Sequence, residues 1–233
     1  MRFNRLINLI GQEKYDQLKN KNIIIFGLGG VGSFAAEAIA RSGIMKLTVV
    51  DYDKVDITNI NRQLVALEST IGKLKVDVFK ARALDINPNL EINAMNKMVS
   101  EDNIEEILCS GYDYVIDCID DVDAKVAIAK YCLDHGLKLV MSAGFANKIH
   151  PELIKIAKLN QTSVCPLAKT LRYKLKSINY PLTIEVVYSE EKPIKAIDNR
   201  ILGSNSYVPS TAGLIIASHV INTLIGDEYK WKK

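Results

Sequence analysis

Gly27, Gly29 and Gly32 stand in the spacing G-x-G-x-x-G, with Gly30 between them. Glycine admits positive φ and lets a ligand approach the main chain closely. Placed where a strand turns into a helix, such a loop offers free N–H groups and the positive end of the helix dipole to an anion, which is the chemistry of a phosphate site. An acid at Asp51 follows, where it can hold a ribose hydroxyl. Further on come Asp53, the run TNINRQ (58–63), the run GKLK (72–75) and the acidic run DCIDD (117–121). A guanidinium at Arg62 and an ammonium at Lys75 suit a triphosphate, and a carboxylate at Asp120 suits Mg2+. Each piece also has a plainer reading. The glycines could make a tight structural turn, Arg62 could be a solvated surface residue, Lys75 the exposed face of its helix, and Asp120 and Asp121 the cap of the next helix. Taken together they exceed what a dinucleotide dehydrogenase needs, which is the glycine loop and the acid alone.

The elements that must position these residues follow from hydrophobic pattern. Ile23 to Phe26 is a short, continuously apolar run, suited to a strand buried on both faces of a parallel sheet. Residues 46–50, 90–96, 114–117 and 139–143 read as further strands. Helices are predicted over 34–39, 73–87, 103–109 and 121–135, the last stopped by Gly136. Alternation of strand and helix predicts an α/β, Rossmann-like fold: a mostly parallel sheet with helices on both faces. Parallel strands end at one edge, so Gly27, Asp51 and Asp117 are expected together there. Residues 154–159 and 183–189 read as strands of an antiparallel C-terminal addition, with a helix between them over 165–176. Residues 1–20 read as a helical arm that Gly11 can interrupt. Residues 51–66 form a long polar loop, the kind that usually carries function. Residues 189–206 read as a mobile crossover loop, and the apolar helix 214–225 as buried in a core or an interface. With no internal repeat, the chain reads as one domain: an arm over 1–22, a nucleotide-binding core over 23–145 and a substrate-side extension over 146–233.

Composition sets the outer bounds. At 233 residues, 48% hydrophobic and 24% charged, the chain is an ordinary globular protein. A net charge of +3 neither requires nor excludes a nucleic-acid partner. Charges interrupt every apolar run of the N-terminus, so no signal peptide is expected, and no stretch reaches the length of a bilayer span. Cys109, Cys118, Cys132 and Cys165 are widely spaced without a C-x-x-C pair. Free thiols in a reducing cytoplasm are expected, and no structural zinc.

The order of glycine loop, DYD, TNINRQ, GKLK and DCIDD resembles the ubiquitin-activating-like adenylating enzymes, over nearly the whole chain and including the N-terminal RFNR. Such enzymes bind ATP–Mg2+ and adenylate a carboxylate. The resemblance implies that the loop with Gly27, Gly29, Gly30 and Gly32 faces the phosphates and Asp51 the ribose. It implies that Asn59 and Arg62 contact the triphosphate, that Lys75 reaches a phosphate, and that Asp120 binds Mg2+. Asp53, Asn61 and Asp121 complete the implied nucleotide site. Arg5 is implied to come from the other subunit of a homodimer. Within that family, RFNRLINLIG, TNINRQLVAL, YDYVIDCIDDVDAK and CPLAKTLRYKLK look most like the enzymes that dehydrate threonylcarbamoyladenosine in tRNA. The implied reaction adenylates the threonyl carboxylate, after which the modification closes a ring on itself. The alternative within the family is activation of the C-terminal glycine of a ubiquitin-like sulfur carrier, with a sulfur-transfer protein as partner. Carrier activators usually hold zinc in C-x-x-C pairs, which this chain lacks. Use of a monovalent cation, as in some relatives, stays open.

Other residues divide between roles. Cys165 stands before Pro166, where a thiol nucleophile and a small residue at a helix start are both admissible readings; ring closure has no need of a protein nucleophile. Cys109, Cys118 and Cys132 fall on apolar faces and are expected in the core. Lys169, Arg172, Lys174 and Lys176 make one helix face basic. That face is either simply solvated or a track for tRNA phosphates through Lys169, Arg172 and Lys176, which Lys148, Lys155 and Lys158 could extend. His135, His150 and His219 show no partner pattern.

Overall fold

The computed structural model describes residues 2–226 other than Ala196 and Asn199. Its strands are β1 (Asn22–Phe26), β2 (Lys46–Val50), β3 (Glu91–Met95), β4 (Tyr114–Asp117), β5 (Leu139–Ser142), β6 (Ile154–Lys158) and β7 (Glu185–Ser189). They form one sheet in the order β3-β2-β1-β4-β5-β7-β6, parallel throughout except for the β6–β7 pair. The apolar run of β1 serves both faces. Ile23 and Ile25 join a cluster with Ile39, Phe79 and Ile216, while Ile24 and Phe26 join one with Ile107, Ile128 and Leu171. Helices α3 (Gly32–Arg41), α4 (Lys75–Ile86) and α8 (Val208–Leu224) cover the first face. Helices α5 (Ile104–Leu108), α6 (Val122–Asp134) and α7 (Pro166–Ser177) cover the other. The chain moves outward from β1 through β2 to β3 and then returns to place β4 on the other side of β1. That reversal opens a crevice at the carboxyl ends of β1 and β4.

The structure agrees with the sequence reading in some places and departs from it in others. Gly11, at φ 87°, divides the N-terminal arm into α1 (Asn4–Ile10) and α2 (Gln12–Lys19). Only β6 is antiparallel: β7 pairs parallel to β5 and so extends the main sheet. Helix α8 starts at Val208, before the predicted 214, with Pro209 in its first turn where a missing N–H costs nothing. It lies against α3. A Cβ at Gly213 would stand 2.3 Å from the carbonyl oxygen of Val31, so the contact needs glycine. The helix is therefore core on that face, while Leu214 points outward. The cysteines also split. Cys132 is buried as expected, Cys109 is exposed, and Cys118 is half-buried at the crevice, because the turn after β4 carries it to the sheet's edge. No helix among the described residues is long and apolar enough to cross a membrane.

Candidate active site

The crevice widens into a cleft of about 750 Å3 along the carboxyl ends of the parallel strands. Its β1 wall is the glycine loop, and the glycines there answer to different needs. Gly27 has φ 85°, and a Cβ on it would meet the carbonyl oxygen of Cys118 at 2.9 Å. A Cβ on Gly32 would meet the carbonyl oxygen of Gly27 at 1.8 Å. Both are demanded by the packing of strand, turn and helix. Around Gly29, by contrast, the nearest heavy atom to such a Cβ is Nε2 of Gln63 at 4.0 Å. The fold itself leaves room there, so packing within the chain does not demand glycine at 29. Gly29, Gly30 and Val31 line the cleft at the start of α3, whereas Gly32 sits behind them.

Asp51, the first residue after β2, is nearly buried. It takes the amide of Leu28 at 2.6 Å on one oxygen and that of Asp53 at 2.8 Å on the other. Burial pushes its carboxyl above the usual range, against the pull of Lys75 and these amides. The acid is thus locked to the glycine loop, each oxygen keeping a lone pair for a hydroxyl. Lys75 begins α4 and is buried, unlike the exposed helix face that sequence admitted. Its Nζ lies 2.7 Å from the carboxylate of Asp53, so those two residues form an ion pair in the cleft wall. Nη1 of Arg62 is held by the carbonyl of Thr58 at 2.8 Å and by Oδ1 of Asn61 at 2.9 Å. Asn59 is buried; its Oδ1 takes the amide of Asp56 and closes a reciprocal cap on a short turn.

Asp120 and Asp121 follow β4. Asp121 caps α6 through the amide of Ala124 at 2.8 Å, which is the plainer of its two readings, though it also lines the cleft. Asp120 is exposed and makes no hydrogen bond or ion pair among the described residues. Asp53, Asp120, Asp51 and Asp121 all act on the phenol of Tyr52, with Asp53 foremost, and raise it above its ordinary value. An unpartnered carboxylate inside such a concentration of acids fits a divalent cation that a triphosphate would share, since Mg2+ commonly takes one or two carboxylates besides phosphate and water. No cluster of metal-ligating side chains among the described residues would hold an ion without such help.

The cleft brings together Gly27, Gly29, Gly30, Asp51, Asp53, Asn59, Arg62, Lys75, Asp120, Asp121 and Cys165. Others lie apart. Asn61 does not face it; its amide reaches the carbonyl of Ser204 at 3.1 Å and tethers the crossover segment. Arg5 is exposed on α1 and lines no part of its own chain's cleft. Lys169 and Lys176 are exposed on α7, but Nη1 of Arg172 is tied to the carbonyls of Thr162 and Leu159 and to the Thr162 hydroxyl. Lys148 is 2% exposed, so it belongs to no surface track, and it lines the cleft instead. Lys155 is paired with Glu190. Cys165 is buried as the residue before α7 and takes the amide of Gly144 on Sγ at 3.4 Å. Sequence reasoning also passed over Gln63. Its side chain lines the cleft, with Nε2 the atom nearest Gly29, and its Oε1 is buried with no partner among the described residues. The signal was its place in TNINRQ, next to Arg62.

A glycine loop, a ribose-side acid, an arginine, a lysine and a free aspartate in one cleft describe an adenylating enzyme of this fold. The chain belongs to the ThiF family, whose sequence pattern matches residues 3–232. Among characterised proteins it is similar to the tRNA threonylcarbamoyladenosine dehydratase of Bacillus subtilis, with 42% identity over 97% of this chain and 95% of that protein. The dehydratase of Haemophilus influenzae is 35% identical over 96% of this chain and 93% of its own length. The crystal structure of the Escherichia coli tRNA N6-threonylcarbamoyladenosine dehydratase in complex with ATP superimposes with a TM-score of 0.92 at 34% identity, covering 97% of this chain and 94% of that one.

Proposed function

We infer that this protein is an ATP-dependent tRNA threonylcarbamoyladenosine dehydratase, acting through adenylation of the threonyl carboxylate and intramolecular ring closure. The observation that carries the reading is the likeness to dehydratases over nearly the full length of each chain, reaching an ATP-bound relative. The cleft suits the chemistry. A carboxylate is a poor electrophile because oxide would have to leave. When its oxygen attacks the α-phosphorus of ATP, the bond to pyrophosphate breaks and a mixed anhydride forms. The carbamoyl group of the same modification then attacks the acyl carbon, its proton goes to solvent, and AMP departs with the former carboxylate oxygen. The second step is intramolecular, so proximity supplies much of its rate.

In this reading Gly29 and the amides that open α3 receive phosphate, and Asp51 holds the ribose. Arg62 and Lys75 offset charge on the triphosphate and on leaving pyrophosphate. Mg2+, held by Asp120, would screen the phosphates during transfer. Lys75 would exchange part of its contact with Asp53 for a phosphate oxygen. We further propose that the chain works in the cytoplasm as a homodimer of single adenylating domains. Arg5 would reach the neighbour's ATP, and Lys169 and Lys176 would meet tRNA phosphates, with Arg172 bracing the helix that carries them.

The deciding experiment incubates the protein with ATP–Mg2+ and tRNA bearing the threonylcarbamoyl group. Nucleoside mass analysis should show the loss of one water, with one AMP formed per product. AMP formation that needs a ubiquitin-like carrier protein and not tRNA would replace this reading with carrier activation.

A further inference from the structure

The two sides of the cleft have unequal supplies of positive charge. Arg62 and Lys75 stand beside Asp51 and Asp120, on the β1, β2 and β4 side. The other side is built from the chain after β5 (142–148), the start of α7 and the segment around Gly203. Among the described residues lining that second side, the cation is Lys148.

Its environment is unusual for a lysine. The side chain is 2% exposed, and Nζ has one hydrogen bond among the described residues, to the carbonyl of Ser189 at 3.1 Å. An ammonium carries three donors, and a buried one is ordinarily matched by a carboxylate. Glu191 is near enough to act on Lys148, but its carboxylate is committed to the amides of Ile149 and His150 at 2.9 Å. Burial lowers the Lys148 amine below its ordinary range, with Cys165 and Glu191 pulling it only partly back. The fold nonetheless spends several contacts on holding this residue in place. Asn147 takes a left-handed conformation at φ 59° and receives the amide of Gly203 on Oδ1 at 2.7 Å. Asn205 donates to the carbonyl of Lys148 at 2.7 Å.

We propose that Lys148 is the substrate-recognition residue of this cleft, its Nζ receiving the carboxylate that is to be adenylated. This rests on the functional reading above. With the ribose held at β2 and the phosphates at β1 and β4, the acyl substrate has the β5 side left to occupy, and that is where the under-partnered cation sits. A carboxylate there completes the donors of Nζ and removes the cost of a buried, singly bonded charge. The other oxyanion that could meet Lys148 is the α-phosphate of ATP, and the test separates the two.

Binding of N6-threonylcarbamoyladenosine and of its methyl ester is measured by calorimetry in the presence of α,β-methylene-ATP, for the wild type and for Lys148→Met. The wild type should prefer the free acid by about tenfold or more, the scale of a charge-assisted hydrogen bond. Lys148→Met should lose that preference while holding α,β-methylene-ATP as tightly as the wild type. With modified tRNA and ATP, it should turn over at least about a hundredfold more slowly in kcat/KM and bind unmodified tRNA unchanged. A preference that survives in Lys148→Met overturns the proposal, as does a parallel loss of nucleotide affinity, which would assign Lys148 to the phosphate. If methionine does not fold, 15N-lysine NMR of the wild type decides. The Nζ resonance missing from Lys148→Arg must move with the acid and not with the ester, and an unmoved resonance overturns the assignment. A wild type that fails to dehydrate modified tRNA sinks the functional reading, whereas one that succeeds alongside an equally active Lys148→Met sinks this proposal alone.

Discussion

On its β1–β2 side the cleft is walled by short continuous runs: the glycine loop between β1 and α3, the turn after β2, and TNINRQ. Many of its groups are tied by local bonds, such as Asp51 to Asp53 and Arg62 to Thr58 and Asn61, and Asp51 also reaches back to Leu28 in the glycine loop. On the β5 side the wall comes from segments far apart in the chain. Asn147 meets Gly203, and Lys148 meets Ser189. In the reading proposed above, the difference follows from what each side has to recognise. A triphosphate presents a row of anionic oxygens, which can be met by main-chain amides and a turn that one stretch of sequence encodes. A substrate's acyl group needs side chains at positions set by tertiary packing.

The comparison can be broken at its phosphate end first. Asp120→Ala removes a cleft carboxylate that supports no packing, so AMP formation should fall by about a thousandfold or more with the melting temperature nearly unchanged. Turnover near the wild-type rate would remove Asp120 from the metal's company. The glycines give the next largest effect. Gly32→Ala should destabilise by about 3 kcal/mol or more, since its Cβ would collide with backbone. Gly29→Ala should fold normally and lose ATP affinity by about tenfold or more, as a methyl group comes between ligand and amides. Equal stability loss in both variants, read by urea unfolding, would erase the distinction drawn between them.

A smaller effect tests how α3 is held. Glu37 on α3 takes Arg82 of α4 at 2.8 Å and Arg41 at 2.7 Å. Burial alone would raise its carboxyl, but the hydrogen bonds from Arg82 and Arg41 outweigh it and hold the group below the usual range. A depressed native value stabilises the fold above the unfolded value of about 4.3, and the contribution disappears as pH falls through the native value. Glu37→Gln should therefore cost about 1–3 kcal/mol at pH 7, with the gap to wild type closing in acid. A gap independent of pH would mean that packing, not charge, joins the helices.

Cys165→Ser should change least. The substrate carries its own nucleophile, and serine keeps a small side chain at the start of α7. Cyclisation of modified tRNA should run within about threefold of the wild-type rate. A thousandfold loss with ATP and tRNA binding intact would point to a covalent intermediate on the β5 side, and the contrast between recognition and chemistry there would fail.

The amino-acid sequence alone determined the α/β class, the burial of β1 on both faces and the glycine turn, and it put forward Asp51, Arg62, Lys75 and Asp120 as candidates, which the fold gathers in one cleft. Each depends on local periodicity or on contiguous spacing, which a linear string records. Tertiary structure decided the rest. Lys75 and Lys148 are lysines at positions that periodicity leaves ambiguous, and only the packing of α4 and of the chain after β5 buries them. Asp121 and Asn59 double as caps because helix and turn geometry bring an amide to their oxygens. Gly213 answers to backbone approached from elsewhere in the chain, and β7 lies between β5, which it pairs in parallel, and β6, which it pairs antiparallel. The burial of the two lysines, the need for glycine at 213 and the pairing of β7 with β5 rest on residues distant along the chain, and a sequence holds no measure of which distant residues will meet.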